Sequence, residues 1–310
     1  MNTRSNVMGE AAAAAPAMVP AVITPMQRFT WLVKRELWES RSIYIAPLAA
    51  AGLILFGFVV SLVRMPEKIR AREALEALQQ RELTQQPYIF AAGLVMAVTL
   101  MVAAVYCLDA LYGERRDRSI LFWKSMPVSD AETVISKAAI PLLVLPVITV
   151  AVTLLTHVVM LLVSTAVVAG SGLSVGTLWN QVALGPMTAT LAFHLVGIHG
   201  LWFAPIYAWL LLVSAWARRM PFLWAVLPPL AIAVVEKIAF NSWHFATMLG
   251  RHFMSAPTGP DFTPRGMAMD PLGHVHLGDF LTSPGFWIGL LLAAGFLAGA
   301  VRLRREHGPI

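Results

Sequence analysis

Residues 138–217 read AAIPLLVLPVITVAVTLLTHVVMLLVSTAVVAGSGLSVGTLWNQVALGPMTATLAFHLVGIHGLWFAPIYAWLLLVSAWA, 80 consecutive positions without Asp, Glu, Lys or Arg. A helix needs about 20 apolar residues to cross the ~30 Å hydrocarbon core of a bilayer. The run is therefore long enough for two spans. Gly170-Ser171-Gly172, followed by Asn180 and Gln181, supplies a polar break between them. The rest of the chain has the same character: 58% of its 310 residues are hydrophobic and 13% are charged. Soluble domains carry about 25% charged residues, so much of this surface faces something other than water.

Working outward, six spans can be drawn. The first lies within 42–63, between Arg41 and Arg64. The second lies within 83–108, starting near Tyr88. The third runs from Ala138 to just before Gly170, and the fourth from about Thr190 to Ala217. The fifth follows Pro221 and reaches about Phe240, with Pro228 and Pro229 interrupting its backbone ladder. The sixth fills 284–301, ahead of Arg302. The expected fold is an all-α integral membrane protein with six transmembrane helices. Residues 1–25 are expected to be a disordered N-terminal tail, because the Ala-rich stretch there is short and broken by Pro16 and Pro20 and makes no secretory signal. Residues 26–305 then form one transmembrane domain, with a short tail at 306–310. The spans do not divide into similar halves, which excludes a duplicated carrier of the inverted-repeat type.

Lys and Arg accumulate in cytoplasmic loops of membrane proteins, and their distribution sets orientation. Arg28, Lys34, Arg35 and Arg41 precede the first span, five basic residues lie in 112–137, and Arg302, Arg304 and Arg305 follow the last. The opposite loops hold fewer, mostly Arg64, Lys68, Arg70, Arg72 and Arg81, and there Glu67, Glu73, Glu76 and Glu82 accompany them. Both termini are therefore expected in the cytoplasm. The formal charge of +6 follows from this asymmetry, so no nucleic-acid partner is expected. The single cysteine, Cys107, sits in an apolar run and allows no intrachain disulfide.

Two amphipathic segments flank the first span. Over 26–41, Phe29, Leu32, Val33 and Leu37 share one face, while Arg28, Lys34, Arg35, Glu39 and Arg41 lie largely elsewhere. That pattern predicts a helix in the interface plane with its apolar side in the acyl boundary; a helix packed against the bundle is the alternative. Over 66–83, Pro66 suits a first helical position and oppositely charged pairs recur three and four apart. A solvated helix packing Leu75 and Leu78 on the membrane rim is expected there, with a gate over a substrate exit the alternative.

Leu111 to Lys137 reads LYGERRDRSILFWKSMPVSDAETVISK. Gly113 permits a local bend. Glu114, Arg115, Arg116, Asp117 and Arg118 form a dense run of mixed sign, and Ile120, Leu121, Phe122 and Trp123 form an apolar patch before Lys124. Pro127 interrupts, and Ser129 with Glu132 makes a capping box that starts the next helix. An apolar knob ringed by charges suits docking into a groove on a partner, since buried aromatics anchor such contacts and charges set their register.

The run GERRDRSILFWKSMPVSD, residues 113–130, resembles the cytoplasmic loop of ABC-2 type ABC transporter permeases. Related stretches there read E-R-R-D-x-[ST]-x-x-F-W-x-S-[LM]-P-[VI]-S. The resemblance implies a six-span permease subunit of an ATP-driven transporter, an exporter by family habit, in the bacterial inner membrane. It implies that 26–41 is the interfacial helix before the first span. It also implies that the 112–137 loop is a cytoplasmic coupling helix contacting a separate nucleotide-binding ATPase subunit. ATP and Mg would be bound by that subunit, because no G-x-x-x-x-G-K-[ST] loop occurs in this chain. A second permease copy, identical or sister, would complete the transporter. No catalytic residue is expected.

Other constellations carry less. The extracytoplasmic loop 241–283 contains His274-x-His276-x-x-Asp279, whose residue types could ligate zinc or copper. No further ligand lies near in sequence, so no metal site is assigned. His157, His194 and His199 fall within spans three and four, where polar groups are costly and often functional. They are candidates for a substrate path, or for hydrogen bonds that hold the bundle. Glu236 and Lys237 are helical neighbours, so they point apart and need separate partners. An intramembrane protease would need a motif such as H-E-x-x-H, which is absent. A non-transporting scaffold or sensor partner is the remaining alternative.

Overall fold

Backbone groups in hydrocarbon must bond within their own segment, so apolar stretches of this length fold as helices. The computed structural model describes residues 24–72, 75–172, 174–254, 282–308 and 310 and contains no strand among them. The helices are α1 (Pro25–Glu39), α2 (Ser42–Leu62), α3 (Met65–Arg72), α4 (Ala77–Ala110), α5 (Tyr112–Arg116), α6 (Ser119–Ser125), α7 (Asp130–Ala139), α8 (Leu145–Gly170), α9 (Val175–Val182), α10 (Leu184–Ala192), α11 (Gly200–Trp216), α12 (Pro221–Phe240), α13 (His244–Met254) and α14 (Pro284–Glu306). Two π-helical segments, Ile140–Val144 and Phe193–His199, join α7 to α8 and α10 to α11. Six helical stretches among the described residues are long and apolar enough to cross a bilayer. The chain is a multi-pass membrane protein.

The expected spans are present, with altered ends. The second begins at Ala77 rather than near Tyr88. At 34 residues, α4 is about 51 Å long and outreaches the hydrocarbon core. The 66–83 segment is helical in two pieces, α3 and the start of α4, with Glu76 in extended geometry ahead of α4. The fourth span starts earlier than Thr190, as α10 and a π segment lead into α11. The expected tail lies outside the described residues up to residue 23. Thr24 caps α1 through a reciprocal capping box with Gln27, and Pro25 is its first residue.

The prolines shape the bundle through the acceptors they free. Proline has no N–H, so Pro229 leaves the Ala225 carbonyl without its helical donor. The Trp209 indole N–H on α11 donates to that carbonyl at 3.1 Å, and α12 runs unbroken across Pro228 and Pro229. Near Pro141 and Pro146 the ladder slips, and Leu145 N–H reaches back five residues to Ile140. Pro146 removes the i+4 donor of the Leu142 carbonyl, and Gly200 comes up against this same oxygen. A Cβ at position 200 would collide with it. Small residues let membrane helices approach this closely.

The core follows. Ile43, Tyr106, Cys107, Ile140, Phe203 and Tyr207 pack together across α2, α4, the first π segment and α11. Tyr88, Met160, Leu161, Val168, Leu178 and Val182 pack toward the other end. By contrast α12 buries only Ala225 and Ala233, leaving an apolar surface such as a lipid environment covers.

At the far end of α12, Glu236 accepts from the Ser242 hydroxyl and from the His244 and Phe245 N–H groups. It thereby satisfies donors at the start of α13. Lys237 donates to Asn241 at 2.7 Å, so the two neighbours have separate partners. His252 on α13 stacks on Trp202 of α11, with ring centroids 4.4 Å apart. The two exchange hydrogen bonds: Trp202 Nε1 donates to the His252 carbonyl at 2.9 Å, and His252 Nε2 donates to the Trp202 carbonyl at 2.8 Å.

Candidate functional site

The loop after α4 is assembled by partners drawn from the whole chain. The Ser214 hydroxyl of α11 accepts from the Leu111 and Tyr112 N–H groups at 3.0 and 2.9 Å. Those two orphan donors of a new helix are thus satisfied, and α4 gives way to α5. Arg115 turns back into the bundle and donates to the Ala215 and Ala217 carbonyls at 2.6 and 3.2 Å. These are orphan acceptors at the C-terminal end of α11, where a cation also meets the negative end of the helix dipole. Arg118 then adopts a left-handed φ of 59°, and the chain reverses into α6.

Glu114 is the centre of a buried ion cluster. Its Oε1 lies 3.1 Å from Lys137 Nζ and 3.1 Å from the Arg35 guanidinium, and its Oε2 accepts from Arg304. Lys137 also meets Glu36 at 2.9 Å, Arg304 meets Asp130 at 3.1 Å, and the Tyr106 hydroxyl donates to Glu36 at 2.8 Å. Three carboxylates thus face three cations contributed by α1, α5, α7 and α14. Glu36, Glu114, Lys137 and Arg304 are each at most 4% exposed. Ions can be held out of water only when each is paired and hydrogen-bonded in this way.

On this base stands α6. Ile120 is fully buried, whereas Leu121 and Phe122 are each 58% exposed. Trp123 is half-buried and meets Phe122 edge to face at 5.0 Å. The Arg35 guanidinium lies 3.4 Å above the Trp123 ring. Arg116, Asp117, Arg118, Lys124 and Pro127 are exposed. Arg28 of α1 donates to the Pro127 carbonyl at 3.3 Å and approaches Glu132 at 3.5 Å. Ser129 and Glu132 form both halves of the capping box of α7.

The expected docking residues therefore divide. Phe122, Arg116, Asp117, Arg118, Lys124 and Pro127 form an accessible surface, with Trp123 at its edge. Glu114 and Arg115 face inward and are occupied within the chain, so they hold the segment and are not presented to a partner. The reach of Arg35 and Glu36 into the cluster also gives α1 a packed face. It is not a helix that only floats in the interface plane, although Trp31 and Trp38 remain exposed at 57% and 79%.

Comparison with family models, curated proteins and solved structures returned no match.

The three histidines are buried. His157 Nε2 donates to the Tyr88 carbonyl at 2.9 Å. The rings of His194 and His199 lie 6.5 Å apart, and His199 sits 4.4 Å from Phe203. His199 borders a cavity of about 10 Å³, room for at most one water. His274, His276 and Asp279 lie outside the described residues. Among the described residues no three His, Cys, Asp or Glu side chains converge as a metal site would require.

Sequence reasoning missed Glu36. Its signal was available: a carboxylate beside Leu32, Val33 and Leu37 on the apolar face of α1 requires a buried cation.

Proposed function

We propose that the chain is the permease subunit of an ATP-driven transporter and that α6 docks onto a separate nucleotide-binding ATPase. One observation carries the reading: exposed Leu121 and Phe122 project from a short helix whose base is fixed by buried ions. An exposed apolar pair on a mobile loop would lose much of any docking energy to ordering. Here the ordering is already done. Force applied at α6 would pass through Glu114 into α1, α7 and α14 together, because all three hold the same carboxylate or its partners. The E-R-R-D-x-S-x-x-F-W-x-S-M-P-V-S pattern at 114–129 supports the same assignment by resemblance.

In this reading the ATPase binds ATP and Mg, and a second permease copy completes the path. The loop end of the bundle faces the cytoplasm of a bacterial inner membrane, as the excess of Lys and Arg there favours. ATP shifts the permease between inward- and outward-facing states only by binding one state better than the other. The test is co-purification. A stoichiometric ATPase should accompany the wild-type chain and be lost in Leu121→Ala/Phe122→Ala. A folded chain without such a companion would support a scaffold instead.

A further inference from the structure

A cavity of about 280 Å³ opens between α2, α3, α4, α8 and α9. It lies far from the ion cluster. Thr84 in its wall and Tyr106 in the cluster are both on α4, 22 residues apart, or about 33 Å along the helix. The walls are sorted by chemistry. Phe58, Leu62, Met65 and Ile69 of the α2–α3 corner form an apolar side. Gln80, Thr84, Thr177 and Gln181 of α4 and α9 form a hydrogen-bonding side. That side is braced: Thr84 donates to Gln181 at 3.1 Å, and Gln85 donates to the Gln181 carbonyl at 2.8 Å.

Two further polar residues belong to the site. Tyr88 and Ser164, 2% and 0% exposed, also line the cavity, and their hydroxyls face each other as a side-chain pair. Such a pair can open, one hydroxyl donating to and the other accepting from a polar group that enters. Among the described residues no Asp, Glu, Lys, Arg or His lines the cavity, so a charged group would be desolvated there without a compensating partner among them.

We propose that this cavity binds an uncharged amphiphile, with a hydroxyl- or amide-bearing head against α4 and α9 and a short apolar tail against the α2–α3 corner. The site does not depend on the ATPase reading.

The test uses Ser61→Cys in a Cys107→Ala background, because Ser61 lines the cavity and is accessible. Maleimide labelling is timed in lipid nanodiscs. Octyl β-D-glucoside, below its micelle-forming concentration, should slow labelling saturably, whereas octyl sulfate, octyltrimethylammonium and tailless methyl β-D-glucoside should not. Adding Tyr88→Phe and Ser164→Ala removes both members of that hydroxyl pair together and strands neither, so the fold should persist. The half-protecting concentration should then rise about tenfold, as loss of one or two neutral hydrogen bonds predicts. Protection that never saturates, equal protection by the charged or tailless probes, or no change in the Tyr88→Phe/Ser164→Ala variant would overturn the proposal.

Discussion

Arg35 lies with its guanidinium 3.4 Å above the ring of Trp123 while one of its nitrogens sits 3.1 Å from Glu114. One side chain of α1 therefore grips both α5 and α6. The contact makes Trp123 and Phe122 unequal although they are adjacent: the first braces the knob and the second is the knob.

That inequality is testable. Phe122→Ala should leave thermal unfolding in detergent unchanged, because its ring is mostly in solvent. Trp123→Ala should lower stability by about 1 kcal/mol through loss of the cation–π stack. Both should insert normally and both should lose transport-linked ATP turnover, the first through the lost anchor and the second through a loosened one.

Glu114 is the member of the ion cluster with the most cationic partners. Glu114→Gln keeps the shape but leaves Lys137, Arg35 and Arg304 facing too few carboxylates. Breaking a buried ion pair from one side costs about 3–5 kcal/mol, and unfolding in denaturant should report a loss of that size. Tyr106→Phe, which deletes one hydrogen bond to the buried Glu36 carboxylate, should cost less, about 1.5–3 kcal/mol.

Glycines at two sites should respond with opposite sign. Gly200→Ala puts a methyl against the Leu142 carbonyl and should destabilise by about 1–3 kcal/mol, as overpacking does. Gly295→Ala meets nothing within 4 Å and should leave stability unchanged or raise it by about 0.5–1 kcal/mol, the helix preference for Ala. Paired melting curves check both.

His252 on α13 is held neutral: burial pulls its pKa down, and the bond to the Trp202 carbonyl only partly opposes this. The unfolded segment takes its proton nearer the ordinary value of about 6.5. The docking of α13 on α11 is therefore complete above that pH and weakens as pH falls toward the lowered folded value. Amide exchange in 244–254 should accelerate on acidification, and His252→Gln should remove the pH dependence.

Hydropathy made the spans legible because the lipid constraint acts on about 20 consecutive residues, and the capping box at Ser129 and Glu132 was legible because it is local. The ion cluster was not. Glu114 meets Arg35 across 79 positions and Arg304 across 190, and the neighbouring charges Arg116, Asp117 and Arg118 are solvated, so the whole run reads as a surface. Lys137 reads as a topology signal at the edge of the uncharged stretch, yet it is 2% exposed. The π segments were equally hidden, since Pro141 and Pro146 announce a broken ladder but not how it is repaired.

The central claim is that an ATP-hydrolysing partner seats on Phe122. The most direct measurement replaces Phe122 with a photo-crosslinking amino acid, illuminates intact cells, and identifies the adducts by mass spectrometry. The account predicts one dominant adduct, with a polypeptide carrying a phosphate-binding G-x-x-x-x-G-K-[ST] loop. Adducts with lipid alone, or with proteins lacking that loop, would contradict it.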